Sequence, residues 1–249
     1  MLTEFRQDKI LKLVNEKNSV TVQELTEVLQ TSESTIRRDL ASLDKDGLLH
    51  KVHGGATALQ MYHTKDEAID IRKTQHLEEK RRIASFAASL VGPNDFVYID
   101  AGTTTEYMID YLKEKSAVYV TNAISHAKKL VQNGFEAHLL GGRLKASTEA
   151  VVGNETIEEL EKFNFTLGFM GANGVSLAHG YTTPEIDEAM VKRRAMKKCR
   201  SCYLLCDATK FNQISSITFA DFGSAVILTT DLQVEEYRKC KNVMEVKEK

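Results

Sequence analysis

The chain has 249 residues, with 33 Lys+Arg against 35 Asp+Glu and a formal charge of −2. That length suggests one or two domains with ample core, and the near-neutral balance argues against a protein that coats nucleic acid through a general basic field. No apolar run is long enough to cross a bilayer and no N-terminal signal peptide is visible, so the expectation is a cytoplasmic protein with no membrane partner.

A first helix is expected over about Glu4 to Glu16, offering Phe5, Ile10, Leu13 and Val14 to a small core. Thr21 with Glu24 three residues on reads as a capping box, so a second helix starts at Val22. Val22, Leu25, Val28 and Leu29 fall on one of its faces. The run Gln30-Thr31-Ser32 interrupts the pattern, and Ser32 is a good N-cap for a third helix. Ile36, Leu40 and Leu43 form the inward stripe of that helix, and Gly47 is its expected C-cap. A basic hairpin follows from Leu48 to Val52, with Lys51, His53 and Gly54-Gly55 behind it.

Two short helices with a tight break and then a hairpin make a winged helix-turn-helix over residues 1–56, with the helix-turn-helix motif at about 20–39. The partner this implies is double-stranded operator DNA. The outward face of the third helix carries Ser34, Arg38, Ala41 and Lys45, flanked by Thr35 and Arg37. Small hydroxyls let a helix sit deep in a major groove, and an arginine fork matches guanine O6 and N7 or grips a phosphate. Arg38 and Ser34 are assigned to base edges and Arg37 and Thr35 to backbone positioning, while Lys51 and His53 on the wing reach a neighbouring phosphate or minor groove. The competing reading is a solvated helix face with an ordinary Glu33–Arg37 pair. Charge does not decide between them, because residues 1–56 hold eight Lys/Arg against nine Asp/Glu.

Residues 57–75 have little apolar periodicity and read as a linker. From 76 to 249 the chain alternates helix and strand. Helical stretches are expected at Leu77–Leu90, at Thr103–Leu112, up to Val131, and after a Thr183 cap with Pro184 at the first position. Short apolar strands are expected at Phe96–Ile99, Val118–Val120, Ala137–Leu140, Leu167–Met170, Tyr203–Leu205 and Val226–Leu228. This is the pattern of an α/β domain with a largely parallel sheet.

In such sheets ligands sit beyond the carboxyl ends of the strands. Here those ends read DAGTTT, TNA, LLGGR, GANG and CDATK. Gly102 lets the backbone approach a ligand, a helix N-terminus presents amides to an anion, and Thr103, Thr104 and Thr105 add hydroxyls. The loop lacks the lysine of a Walker A motif and is no G-x-G-x-x-G fingerprint, so it suits a single phosphate better than a nucleotide. Asn122 and Asn173 come from two further strand ends. Gly141-Gly142-Arg143, with Lys145, could form a second wall. Lys210 could pair with the phosphate while Asp100 and Asp207 accept sugar hydroxyl protons. The competing reading is that these glycines and threonines only make turns and caps.

The four cysteines, Cys199, Cys202, Cys206 and Cys240, include one C-x-x-C. No second pair with matching spacing follows and the histidines show no metal spacing, so neither a metal nor a cofactor is expected. Cys202 and Cys206 read as small hydrophobes on a buried strand.

The block Ser34-Thr35-Ile36-Arg37-Arg38-Asp39-Leu40 with Val52-His53-Gly54-Gly55-Ala56 resembles the DeoR/GlpR family of bacterial transcriptional regulators. So do DAGTTT, TNA, LLGG, GANG, the segment Gly180 to Ala189 and Asp207 to Lys210, in the family's order. The resemblance implies a sensor domain with a fold like ribose-5-phosphate isomerase, a phosphorylated sugar as effector, a homo-oligomer (dimer or tetramer) and repression of a sugar-uptake operon. Within the family the chain looks most like repressors of fructose operons, which implies fructose 1-phosphate as effector. Two alternatives remain at this point. One is a phosphosugar isomerase or deaminase with an appended DNA-binding domain, drawing on Asp207, Lys210 and Glu149, although no compact acid–base pair is evident and no catalytic residue is assigned. The other is an adaptor whose N-terminal helices contact protein.

Overall fold

The computed structural model describes residues 2–17, 19–58, 61–63, 69–232 and 234–247. The first unit runs α1 (Thr3–Lys17), β1 (Ser19–Thr21), α2 (Val22–Leu29), α3 (Glu33–Lys45), β2 (His50–Val52) and β3 (Gly55–Thr57). Local chemistry sets its boundaries. The Thr21 hydroxyl accepts the Glu24 amide at 3.1 Å, and the Ser32 hydroxyl accepts the Thr35 amide at 3.3 Å. The far end of α3 closes as a Schellman motif. The Leu48 amide donates to Leu43 at 2.9 Å and the Gly47 amide to Asp44 at 3.0 Å, with Gly47 at φ +68.

The strands form an antiparallel sheet in the order β1-β3-β2. Gly55 is required in it, because a Cβ there would overlap the Val20 carbonyl across the ladder. Ile10, Val14, Val22, Leu25, Leu29, Ile36, Leu40, Leu43 and Leu49 make the core. Two expected core residues are not in it: Phe5 and Val28 are each 55% exposed, and Lys9 lies over the Phe5 ring. Arg6 of α1 grips Asp39 of α3 through two hydrogen bonds, one of 3.1 Å, with both residues buried.

The stretch expected to be a linker is not featureless. Thr57 completes β3 and Ala58 packs into the first core. β4 (Met61–His63) and α4 (Ile69–Thr74) follow, while the rest of the stretch from 59 to 68 lies outside the described residues. Little apolar periodicity was visible because a three-residue strand and a six-residue helix are too short to show it.

The second unit continues with α5 (Leu77–Ala88), β5 (Phe96–Ile99), α6 (Thr103–Met108), β6 (Val118–Thr121), α7 (Ile124–Gln132), β7 (Glu136–Leu139), β8 (Arg143–Lys145), β9 (Ala150–Val152) and α8 (Asn154–Leu160). Next come β10 (Phe165–Met170), β11 (Gly174–Ser176), β12 (Gly180–Thr183), α9 (Ile186–Lys197), β13 (Cys199–Leu205), β14 (Gln213–Ser215), β15 (Ile217–Ala220), β16 (Val226–Thr229), α10 (Glu235–Arg238) and β17 (Val243–Glu245). Seven strands build one parallel sheet in the order β17-β16-β13-β10-β5-β6-β7. Alternate residues of β5 feed opposite cores: Val97 and Ile99 face α5, α6 and α7, whereas Tyr98 faces α8 and α9. The mixed α/β class and the parallel sheet agree with the sequence reading.

Helix α9 begins at Ile186, two residues after Pro184. Thr183 is not its cap but the last residue of β12, and its hydroxyl bonds Asn173 Oδ1 at 3.1 Å. The sequence cue misled because the helix starts only after an extended turn carrying Pro184 and Glu185.

The sheet order creates the site. The chain lays β6 and β7 to one side of β5, then returns to place β10 on the other, so the strand order reverses between β5 and β10. Their carboxyl ends are stitched together: the Asp100 amide donates to Phe169 at 2.9 Å and the Gly171 amide to Asp100 Oδ2 at 2.9 Å. Ligand crevices of open α/β sheets lie at such a reversal.

Candidate nucleic-acid interface and effector cleft

On α3, Ser34, Arg37 and Arg38 are exposed and Thr35 is half-buried. The Ser32 hydroxyl bonds both the Ser34 and Thr35 hydroxyls, at 3.0 and 2.9 Å, so Thr35 helps close the cap as well as facing out. Arg37 pairs with Glu33 at 3.1 Å, the ordinary helix pair weighed above, whereas Arg38 makes no such pair among the described residues. Lys51 and His53 are exposed on β2 and its turn. The Lys51 amide donates to Asp44 Oδ1 at 2.9 Å, which ties the wing to the end of α3. All six predicted contact residues therefore sit on one helix and the adjoining wing.

The cleft at the strand reversal is lined by Gly102, Thr103, Thr104 and Thr105, by Asn173, and by Asp207 and Lys210, all expected from sequence. Its cavity volume is about 50 Å³. Thr103 and Thr104 line the cleft and are buried. Thr105 is used inward instead: its hydroxyl donates to the Asp100 and Gly102 carbonyls at 2.6 and 2.8 Å. Behind it, the His126 ring is fully buried and bonds the Gly102 carbonyl at 3.2 Å through Nε2. Burial lowers the His126 pKa to about 3, helped by the charges of Lys129 and Lys73 and opposed by the Gly102 bond. This neutral imidazole holds the loop in shape.

Asp100 does not face the cleft as a free acceptor. Lys192 of α9 bonds its carboxylate, which also accepts the Gly171 amide. Burial pushes the Asp100 carboxyl up, against the pull of Lys192 and that amide. Asn122 is likewise a clamp: it accepts from the Tyr98 hydroxyl and the Ala101 amide, each at 3.1 Å, and donates to Val151. Asp207 does line the cleft. Burial opposes its ionisation, but Lys210, the Thr209 hydroxyl, His76 and Lys80 outweigh that and hold its pKa below the usual range.

Gly141, Gly142 and Arg143 are not among the lining residues. Strand β7 lies at the sheet edge, on the far side of β5 from β10 and β13. The Gly141 amide donates to Glu159 at 2.7 Å, Gly142 sits at φ +141 where a Cβ would overlap the Thr156 hydroxyl, and Arg143 pairs with Asp187. At this strand end the turn-and-cap reading holds. Lys145 bonds Glu188 at 2.9 Å, and it is Glu188 that lines the cleft.

Residues 6–61 match the DeoR-like helix-turn-helix domain and residues 75–232 match the DeoR C terminal sensor domain. This chain belongs to the DeoR family of transcriptional regulators. Its relatives include an uncharacterized HTH-type transcriptional regulator FruR of Bacillus subtilis, 40% identical over 94% of this chain and 93% of that protein. A lactose phosphotransferase system repressor of Staphylococcus epidermidis is 32% identical over 97% of both chains. Among solved structures, ribose 5 phosphate isomerase A from Neisseria gonorrhoeae aligns with TM-score 0.40 and 16% identity, over 53% of this chain and 52% of that one.

For a DeoR-family regulator the enzyme alternative falls away, because the relatives spanning nearly the whole chain are named as regulators or repressors. The adaptor alternative falls with it, since the N-terminal unit is a DNA-binding helix-turn-helix. Sequence reading missed Arg72, Lys80, Thr148, Glu188 and Lys192, which all line the cleft. They come from α4, α5, α9 and the loop before β9, and nothing local marks them. Cys199 and Cys202 donate to the Ala195 and Met196 carbonyls at the end of α9, a packing role.

Proposed function

We propose that this DeoR-family protein is a repressor of a sugar uptake or catabolism operon, released from its operator by a phosphorylated sugar. Ser34 and Arg38 read base edges, Arg37, Thr35, Lys51 and His53 engage the backbone, and a dimer or tetramer places two such helices on successive half-sites. The observation that carries the sensing half is the cleft at the strand reversal. Arg72, Lys80, Lys192 and Lys210 line it against Glu188 and Asp207, with threonine hydroxyls and Asn173 to meet sugar oxygens. Because α6 is only six residues long, placed cations rather than a helix dipole supply most of the charge for a phosphate. Fructose 1-phosphate is the first candidate effector, in keeping with the FruR and phosphotransferase-system names of the relatives. The test is operator-fragment binding titrated with a panel of sugar phosphates. Fructose 1-phosphate should release the fragment, and a panel without effect would remove the sensing role from this cleft.

A further inference from the structure

Two of the cleft's cations belong to the segment that follows the DNA-binding unit, not to the sheet. Arg72 lies on α4 and Lys80 in the first turn of α5, and the buried Lys80 ammonium donates to the Arg72 carbonyl. That segment is fastened at two places. Lys73 pairs with Glu106 at 3.1 Å and its carbonyl accepts the Tyr107 hydroxyl at 3.0 Å, which ties α4 to α6. β4 runs parallel to β14, just downstream of Lys210. So the elements that hold the connecting segment, α6 and β14, begin at or just beyond the residues that wall the cleft.

Lys210 and Arg72 crowd the Lys80 ammonium, with Asp207 and Glu79 opposing them, and Asp207 also accepts the Thr209 hydroxyl. Like charges in a partly buried cleft repel, and an entering anion relieves the cost. The space of about 50 Å³ holds a few water molecules, so a sugar phosphate seated there also occupies the open mouth of the cleft or displaces a lining element.

We propose that the connecting segment is itself part of the effector site: a phosphate group in the cleft is gripped by Arg72 and Lys80 together with Lys210, and ligand occupancy reaches the DNA-binding unit as a shift of the α4–α5 corner. This rests on the sugar-phosphate reading of the cleft. Hydrogen–deuterium exchange on the full chain, with fructose 1-phosphate and separately with inorganic phosphate, tests it. Exchange should slow over residues 69–80 as well as over 102–106. Arg72→Gln should weaken fructose 1-phosphate binding about tenfold, the worth of one charge-assisted hydrogen bond. It should leave the melting temperature of the free protein within about 2 °C, since α4 is half-exposed there. Slowed exchange at 102–106 with 69–80 unchanged, or wild-type affinity in Arg72→Gln, overturns the proposal and leaves the sugar-phosphate reading standing. No change at 102–106 with either probe overturns both.

Discussion

Replacing His126 by Gln removes a buried proton acceptor while keeping an N–H that can bond the Gly102 carbonyl. The folded pKa is about 3, against about 6.5 for an unfolded histidine. A depressed histidine pKa means that the unfolded state takes up a proton first as pH falls. Stability is therefore full above pH 6.5 and is lost as pH falls toward 3, by about 1.4 kcal/mol per unit once well below 6.5. Between pH 7 and pH 5 the loss from this one group is about 2 kcal/mol. Other carboxylates and histidines titrate over the same range, but they are common to both proteins and cancel in the comparison. The chain has no Trp and eight Tyr, none of them in residues 1–56, so near-UV circular dichroism during urea unfolding reports the larger unit. Wild type should lose about 2 kcal/mol more than His126→Gln on going from pH 7 to pH 5. Equal losses, or an NMR titration of the His126 ring centred near pH 6.5, would refute the claim that this ring is locked neutral behind the loop.

Arg38→Ala should cost operator binding about 1–3 kcal/mol and relax discrimination at one base pair, whereas Lys51→Ala should weaken all DNA alike and reduce the salt slope by about one; fluorescence anisotropy across a salt series separates them. Gly55→Ala drives a methyl into the Val20 carbonyl, so it should abolish DNA binding while the near-UV tyrosine signal stays unchanged. Asp39→Ala removes the carboxylate that the buried Arg6 grips and should destabilise the first unit by about 3–5 kcal/mol, with the double variant carrying Arg6→Leu and Asp39→Leu recovering much of that in thermal unfolding. Lys80 has its pKa lowered to about 8, first by burial and then by Lys210 and Arg72, against the pull of Asp207 and Glu79. An anion binds the protonated form, so phosphate affinity should be full below pH 8 and fall as pH rises past it; calorimetry at pH 7 and pH 9 should show the fall in wild type and not in Lys80→Met.

The first unit was legible because its signals are local. The Thr21 and Ser32 caps, the Gly47 stop and the Ile36–Leu40–Leu43 stripe each involve residues within one or two turns, and all fall where sequence placed them. What failed there was the edge of a face: Phe5 and Val28 have the right spacing, but no second helix or strand comes over them. In the larger unit the six expected strands exist, yet the site they were expected to share is only partly shared. Sequence gives strand ends but not strand order. The order puts β7 four strands from β13, roughly 19 Å at the usual spacing, so Gly141, Gly142 and Arg143 cannot meet Asp207 and Lys210 across one small cleft. The same ignorance of tertiary order hid Lys192, whose partner Asp100 is ninety-two positions away.

A sugar-phosphate switch at this cleft works only if the ligand binds one arrangement of the chain better than another. A hundredfold change in DNA affinity requires about 2.8 kcal/mol of coupling. The strand ends offer little freedom to supply it. Asp100 and Gly171 are cross-bonded, Asn122 pins Ala101, and His126 with Thr105 pins Gly102. The α4–α5 corner is held differently, by the Lys73–Glu106 pair, the Tyr107 hydroxyl and the Lys80 ammonium on the Arg72 carbonyl, a cation crowded by Lys210 and Arg72. Two charge-assisted hydrogen bonds from Arg72 and Lys80 to a phosphate are worth about 3–6 kcal/mol before any cost of moving the corner. That exceeds the coupling required, so a shift of the cationic corner against the sheet suffices, and no deformation of the parallel sheet has to be invoked.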